Sequence, residues 1–469
     1  MSDFRMTMVT HACVKLEGHF GALLCDPWFL NEPIYNFSTW KYPLASMPAD
    51  EVVAGVTHVF ISHSHEDHFH IPSIDLLPRN VMMLLPDYAW HPGNRSHTVE
   101  RTIRALGFTN IRLLHAWETV ALAPDLQVTV IPSAASKARD WENAGLVIEH
   151  PSAKILNMND CPSDEALYQE VNRRFGSFDL MLIQYAGVSI FPGRFRMSRE
   201  ALDKAVANKR ANFQEQKRAV EMLTMKALVP FAGDFSWLDD RLFHCNWSCR
   251  ATPRLFEDWM RDNYPDRNIE LLMMNPSDEW TPGNGLRRQH PLIDWNGYVD
   301  DIAAIKQRFQ PKIDAINHWL AASDRRDLKA RSATFLETLE RIGEGRQDID
   351  FTVRFRFVIE GDDADFSFVL SADPVEGFRV LWDDDAPTDQ TFYLPQDMWA
   401  SVLSAKTMMG MISWPGEIVQ HVPFRLDLAR FWFWLEYYGD LVNRSPQALI
   451  DTRLHPGLTE AIRPQLGVL

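Results

Sequence analysis

The string His63-Ser64-His65-Glu66-Asp67-His68 constrains this chain more than any other feature. It sets three imidazoles and two carboxylates within six residues, directly behind the apolar run Val56-Thr57-His58-Val59-Phe60-Ile61-Ser62. Such a run reads as a buried strand. Strand alternation sends His63 and His65 the same way, and a turn behind them can swing Asp67 and His68 toward a second metal position. Histidines can also sit on a surface and be satisfied by water, but the complete His-x-His-x-Asp-His spacing is rare by chance. His70, just outside the string, reads as a helix-surface residue. Taken alone, the string favours hydrolysis at two zinc or manganese ions, which would activate a bridging water against a phosphoester, lactone or amide, with Asp67 positioning the nucleophile.

At 469 residues the chain exceeds the usual size of one hydrophobic core, so a large catalytic domain with a smaller accessory one is expected. Residues 6 to 29 read as two strands around a turn, and further strands are expected at Val81–Leu85, Gln127–Ile131, Gly145–Glu149 and Lys154–Asn157. Helical stretches lie between some of them, an α/β pattern. Ser198 to Lys226 reads as one long, partly exposed helix with Ser198 as its N-cap. From Asp350 the character changes. Phe351, Val353, Phe355, Phe357 and Ile359 alternate with more polar residues, an acidic turn follows, and Phe366, Phe368 and Leu370 alternate again. The expected division is therefore a catalytic domain over 1–345 and an accessory α+β domain over 350–469. A helix is expected near Gln396–Ala405, and the aromatic run Phe431–Tyr438 reads as accessory core in preference to an apolar ligand groove.

The formal net charge of -16 argues against nucleic acid or an anionic membrane, which are held by clustered Lys and Arg. A small-molecule substrate is expected instead. No stretch approaches the roughly 20 apolar residues of a membrane-spanning helix, and the start of the chain lacks a signal-peptide pattern. The five cysteines, Cys13, Cys25, Cys161, Cys245 and Cys249, suit a reducing compartment better than a disulfide framework. Cytoplasm is the expected location, and the sequence is compatible with an oligomer.

The histidine string is the signature of the metallo-β-lactamase superfamily, and its neighbours resemble one branch of it, the catalytic part of CMP-N-acetylneuraminate hydroxylase. The segments that carry the resemblance are Leu24-Cys25-Asp26-Pro27-Trp28-Phe29, Ile61 to Phe69, Lys154-Ile155-Leu156-Asn157-Met158-Asn159-Asp160-Cys161, Phe178-Asp179-Leu180-Met181 with Tyr185-Ala186-Gly187, Phe191-Pro192, and Pro230-Phe231-Ala232-Gly233. They occur in family order over roughly residues 6 to 290. The resemblance implies an αββα sandwich, with a C-terminal domain that is loosely similar to sterol-carrier proteins.

It also implies that Asp160 bridges two metals, one oxygen to each cation; without the resemblance, Asp160 reads as a helix N-cap. Family members place another histidine before the strand at Gly145–Ile148, where this chain has Asp140 and, next best, Glu142. Either carboxylate would harden the ligand set toward iron or manganese. The final ligand lies among His244, Asp234 and Asp239, the first two preferred. His11, in Val9-Thr10-His11-Ala12, resembles a Gly-His-Ala turn beside the metals and would orient substrate or oxygen.

With Asp67 and His11 as catalytic residues and His63, His65, Asp67, His68 and Asp160 as core ligands, the expectation is a dinuclear site favouring iron over zinc or manganese. The reaction implied by the resemblance is hydroxylation of a small molecule, N-acyl, sugar-linked or a natural product. The resembling family draws electrons through a Rieske cluster, and no Cys-x-His spacing for one occurs in this sequence. Electrons are therefore expected from an external electron-transfer protein or from the substrate itself. A zinc or manganese hydrolase is the alternative.

Overall fold

The computed structural model describes residues 4–87, 97–134, 143–344, 349–362, 365–382, 384–410 and 416–455. Strands Arg5–Thr10, Cys13–Gly18 and Gly21–Cys25 run as an antiparallel meander. Val56–Phe60, Met82–Pro86 and Ile111–Leu114 then add in parallel, and Glu279–Thr281 with Gly285–Arg287 complete eight strands at the other edge. A second sheet of seven strands runs from Glu270–Leu271 through Thr224–Phe231, Ser177–Gln184, Ala153–Asn157, Ala144–His150 and Leu126–Pro132 to Thr119–Ala123.

The two sheets face each other because their side chains alternate between two buried environments. Leu84, Leu146 and Ile148 meet between the sheets. Met83 and Leu85, the neighbours of Leu84, turn outward to Ile74 and Ile103 on helices Ile71–Asp75 and His97–Ala105. Val147, the neighbour of Leu146, turns to Val171 and Val220 on helices Glu165–Phe175 and Gln214–Met222. Helices therefore cover both outer faces, giving the αββα sandwich of the metallo-β-lactamase fold.

The stretch from Ser198 to Lys226 is not one helix. Ser198 caps Arg199–Ala211 by accepting from the Ala201 amide, but the helix stops at Asn212 and a second runs over Gln214–Met222. Phe213 causes the break: its ring is buried against Phe256 and Trp259 at 5.3 Å from each, which a continuous helix on the surface could not achieve. Thr224 onward joins the second sheet beside Ser177–Gln184.

A five-stranded sheet forms the C-terminal unit, in the order Gly377–Trp382, Phe366–Asp373, Val353–Glu360, Gln390–Pro395, Glu417–Gln420. The expected hairpin is present, with Phe357 opposite Phe368. Helices Gln396–Leu403 and Leu426–Asn443 pack on it, and so does Leu328–Gly343, which precedes the boundary expected at 345. The unit is tied to the sandwich by backbone bonds between Ile418 and residues 194 and 196, at 2.9 and 2.8 Å, and by Asn36 donating to the Met408 carbonyl at 2.9 Å. No helix among the described residues is long and apolar enough to cross a membrane.

Candidate metal centre and its cavity

Strand Val56–Phe60 ends beside Asp26, a residue at φ 47° in the left-handed region. Asp26 accepts from the Ser62 amide at 2.7 Å and the Ser62 hydroxyl at 2.9 Å, which pins the chain as it leaves the sheet. The next residues turn helically, with the amides of His68 and Phe69 donating to the His65 carbonyl. That turn brings His68 under the strand end. The Nδ1 atoms of His63 and His68 are then both held, His63 by Ser62 Oγ at 2.9 Å and His68 by Asp26 Oδ2 at 2.9 Å.

With Nδ1 engaged, Nε2 is the free ligand atom on each ring. The buried Nε2 atoms of His63 and His68 and Oδ1 of Asp160 have no hydrogen-bond partner. Three buried polar atoms without a hydrogen-bond partner at one place are abnormal in a folded interior. They fit a metal ion: ligand atoms of His63, His68 and Asp160 lie within 4.8 Å of one another, and so do those of His11, Asp67 and His68. His68 Nε2 stands 3.4 Å from Asp160 Oδ2 and 3.6 Å from Asp67 Oδ2. Nitrogen and carboxylate donors in this mixture suit first-row transition metals.

Burial and the clustered carboxylates act in opposite directions on these groups. Burial, reinforced by His68 and His65, holds the His63 ring well below the usual imidazole range and therefore neutral. Burial works against charge on His68 too, but Asp160, Asp67 and Asp26 outweigh it and push its pKa well up. Burial would raise Asp67; His68 and His11 overcome it and hold the carboxylate well below its ordinary range.

His11 sits at φ 49° between strands Arg5–Thr10 and Cys13–Gly18. Its Nδ1 accepts from the Asp234 amide at 3.1 Å, so Nε2 carries the proton and donates to Asp67 Oδ2 at 3.1 Å. Tyr35, also left-handed at φ 51°, donates its hydroxyl to Asp67 Oδ1. Both oxygens of Asp67 are thereby held. Tyr35 carries no motif, and only the fold brings it to the string.

The structure brings His63, His68, Asp67, Asp160 and His11 together. His65 lies beside them, its ring 4.5 Å from that of His63 and stacked on Phe433 at 6.3 Å, but it belongs to neither three-ligand group. Asp234 stands behind His11 and accepts from the Tyr185 hydroxyl at 2.9 Å; burial pushes its carboxyl up. It supports the ring of His11 and joins neither group. His244 departs from expectation: its Nε2 is engaged by the Gly193 carbonyl at 2.9 Å at the start of a short helix. Asp239 is paired with Arg241 at 2.9 Å. Asp140 and Glu142 lie outside the described residues. His70 is buried, and its Nδ1 caps helix Ile71–Asp75 by accepting from the Ser73 amide. The N-cap alternative for Asp160 is taken instead by Asp164, which accepts from Leu167.

The ligands open on a cavity of about 970 Å³. One wall is the metal loop and the other is the C-terminal unit, with Phe392, Ile418, Trp432 and Phe433. Helix Leu426–Asn443 therefore has two apolar faces. The expected core holds Phe431, Trp434, Leu435 and Tyr438, while Trp432 and Phe433 also face the cavity.

Residues 22–210 match the beta-lactamase superfamily domain. The chain is 26% identical over 387 residues to a protein of Mycolicibacterium smegmatis named as a Rieske 2Fe-2S iron-sulfur protein, covering 78% of this chain and 71% of that one. It is 27% identical over 247 residues to the cytidine monophosphate-N-acetylneuraminic acid hydroxylase of Danio rerio, covering 50% of this chain and 39% of the relative. Among solved structures, the isothiocyanate hydrolase from Delia radicum gut bacteria superposes with a TM-score of 0.42 at 16% identity, over 59% of this chain and 98% of that one.

Proposed function

From a metallo-β-lactamase fold with a beta-lactamase superfamily domain over residues 22–210, we propose that this protein is a dinuclear-iron oxygenase that hydroxylates a small molecule. The observation that carries the proposal is the set of orphaned ligand atoms on His63, His68 and Asp160, opening on a cavity walled largely by apolar residues. The likeness to a hydroxylase and to a protein named for an iron-sulfur centre supports the choice of oxidation over hydrolysis.

In this reading His63, His65, Asp67, His68 and Asp160 would hold the two ions, with Asp140 or Glu142 as a further ligand. A pair of iron ions bound there would supply O2 binding and the means to share electrons between two centres. The chain's own residues do the rest. Tyr35 and His11 hold Asp67 in a single orientation by donating to each of its oxygens. The Asp234 amide selects the His11 tautomer that makes this possible. Trp432 and Phe433 keep bulk water from the substrate carbon and offer an apolar surface to it.

Hydroxylation converts R–H, O2, two electrons and two protons into R–OH and water. No Cys-x-His pair that could ligate a Rieske cluster occurs in this sequence, so the two electrons would enter from a separate iron-sulfur or flavin protein. The five cysteines are free, which suits a cytoplasmic setting.

The test is metal content, optical spectrum and O2 consumption of the purified protein in the presence of a reductant. About two irons with O2 uptake are expected. About two zincs, no visible band and no O2 uptake would overturn the oxygenase reading in favour of hydrolysis.

A further inference from the structure

Helix Leu426–Asn443 contributes a second kind of group to the cavity wall. Arg444, its C-cap residue, is only 8% exposed and lines the cavity. None of its guanidinium nitrogens, Nε, Nη1 or Nη2, has a hydrogen-bond partner among the described residues. A buried guanidinium with every donor unspent is costly, because desolvation is not repaid by hydrogen bonds. The cost is visible in its pKa, which burial pulls down to about 10.

The surrounding charges are otherwise arranged. Arg453 is committed to Glu66 in a buried ion pair, and Glu66 also accepts from the Tyr35 amide. The carboxylate of Asp440, one turn before Arg444, lies near enough to favour its charge electrostatically, yet makes no hydrogen bond with the guanidinium. It accepts instead from the Met409 amide at 3.4 Å. Arg453 keeps Nη1 and Nη2 without a hydrogen bond beside its ion pair with Glu66. Arg444 has no hydrogen bond at any of its three guanidinium nitrogens among the described residues, so it is the cation of this quartet whose whole fork lines the cavity unspent.

We propose that Arg444 is a substrate-anchoring residue that receives a carboxylate, so that the cavity takes a small carboxylic acid with an apolar body. A fork of parallel N–H donors matches a carboxylate in two-point geometry. A phosphate dianion fits less well: Glu66 and Asp440 flank the two guanidinium groups, and these acidic neighbours would repel the extra charge. Trp432 and Phe433, on the same helix, supply the apolar surface for the body of the acid. The statement that this acid is the molecule oxidised rests on the oxygenase reading, whereas the carboxylate subsite stands without it.

Calorimetric titration of the full chain, metal-loaded and chelator-treated, with 3-phenylpropanoate, 3-phenylpropanamide and phenyl phosphate tests this. Wild-type protein is expected to bind the acid, with the amide weaker by about tenfold or more, as loss of a charged hydrogen bond implies. R444Q should bind the acid no better than the amide, and R444K should fall between, since it keeps the charge and loses the fork. Persistence of Arg444-dependent binding after chelation supports the subsite whatever the metal proves to be. Failure of wild-type protein to bind the acid, equal binding of acid and amide, tighter binding of phenyl phosphate, or unchanged acid binding in R444Q would each overturn it. The comparison of acid with amide uses wild-type protein alone, so it decides the matter even where R444Q does not fold.

Discussion

His68 Nδ1 stands 2.9 Å from Asp26 Oδ2, and this contact decides which nitrogen of the ring faces the metal position. Asp26 also holds the amide and hydroxyl of Ser62, so one carboxylate fixes both the chain and the imidazole. Replacing it by asparagine keeps the shape and removes the charge. Asp26→Asn is expected to weaken metal affinity by about 10- to 100-fold, the usual cost of losing an outer partner of a ligating histidine. Competition with a chromophoric chelator measures this, and an unchanged affinity would show that Asp26 does not orient His68.

Tyr35 and Asp67 form a second such pair. Tyr35→Phe leaves Asp67 Oδ1 buried without its phenolic donor, a loss of about 1 to 3 kcal/mol in the stability of the metal-free chain. Denaturant unfolding of the chelated protein should show this. Added metal should recover part of the loss, because a cation can take the place of the missing donor. Equal stability of variant and wild type would remove Tyr35 from the support of the site.

Arg453 and Glu66 link helix Pro446–Arg453 to the histidine string, because Glu66 lies between His65 and Asp67. Removing one partner of a buried pair strands the other charge, so Arg453→Met should destabilise by about 3 to 5 kcal/mol and lower metal retention. Arg453→Met combined with Glu66→Gln should restore much of the stability. A double variant no more stable than Arg453→Met alone would refute direct coupling.

Lys312 gives a pH-dependent prediction. It is a buried residue of helix Tyr298–Ala321, donates to the Asn31 carbonyl at 3.2 Å, and burial lowers its pKa from 10.5 to about 8. Below pH 8 the amine is protonated in folded and unfolded chains alike, and the burial penalty is fully present. Between about pH 8 and 10.5 only the unfolded chain keeps the proton, so this residue's contribution to stability rises with pH. At 1.36 kcal/mol for each pH unit the penalty is on the order of 3 kcal/mol. Lys312→Met should therefore be more stable than wild type at pH 7, with the difference shrinking toward pH 10. A difference that does not vary with pH would contradict the assignment.

Much of the fold was legible because strand alternation and the buried strand before His63 are local. The hairpin at 353–373 and the helix at 396–403 follow from patterns within a few residues. The helix break at Phe213 was not legible, since it depends on Phe256 and Trp259, more than forty residues later. Of the candidate site, the string, Asp160 and His11 could be found by motif and resemblance. Tyr35 and Arg444 could not: no local pattern marks them.

The sequence by itself determined that three imidazoles and two carboxylates would gather where a buried strand ends, because residues packed this closely in the chain can hardly avoid one another in space. Its local patterns gave an α/β mixture of strands and helices, since the period of the apolar residues is a local property, while the two-sheet layering was implied by the family resemblance alone. The tertiary structure decided the rest. It set His11 and Tyr35 on Asp67, withdrew His244 to the Gly193 carbonyl, and brought the C-terminal helix over the ligands so that Trp432, Phe433 and Arg444 wall the cavity. Those outcomes depend on contacts between residues up to 387 positions apart, as with Glu66 and Arg453, and no local pattern encodes which distant side chain will fill a given space.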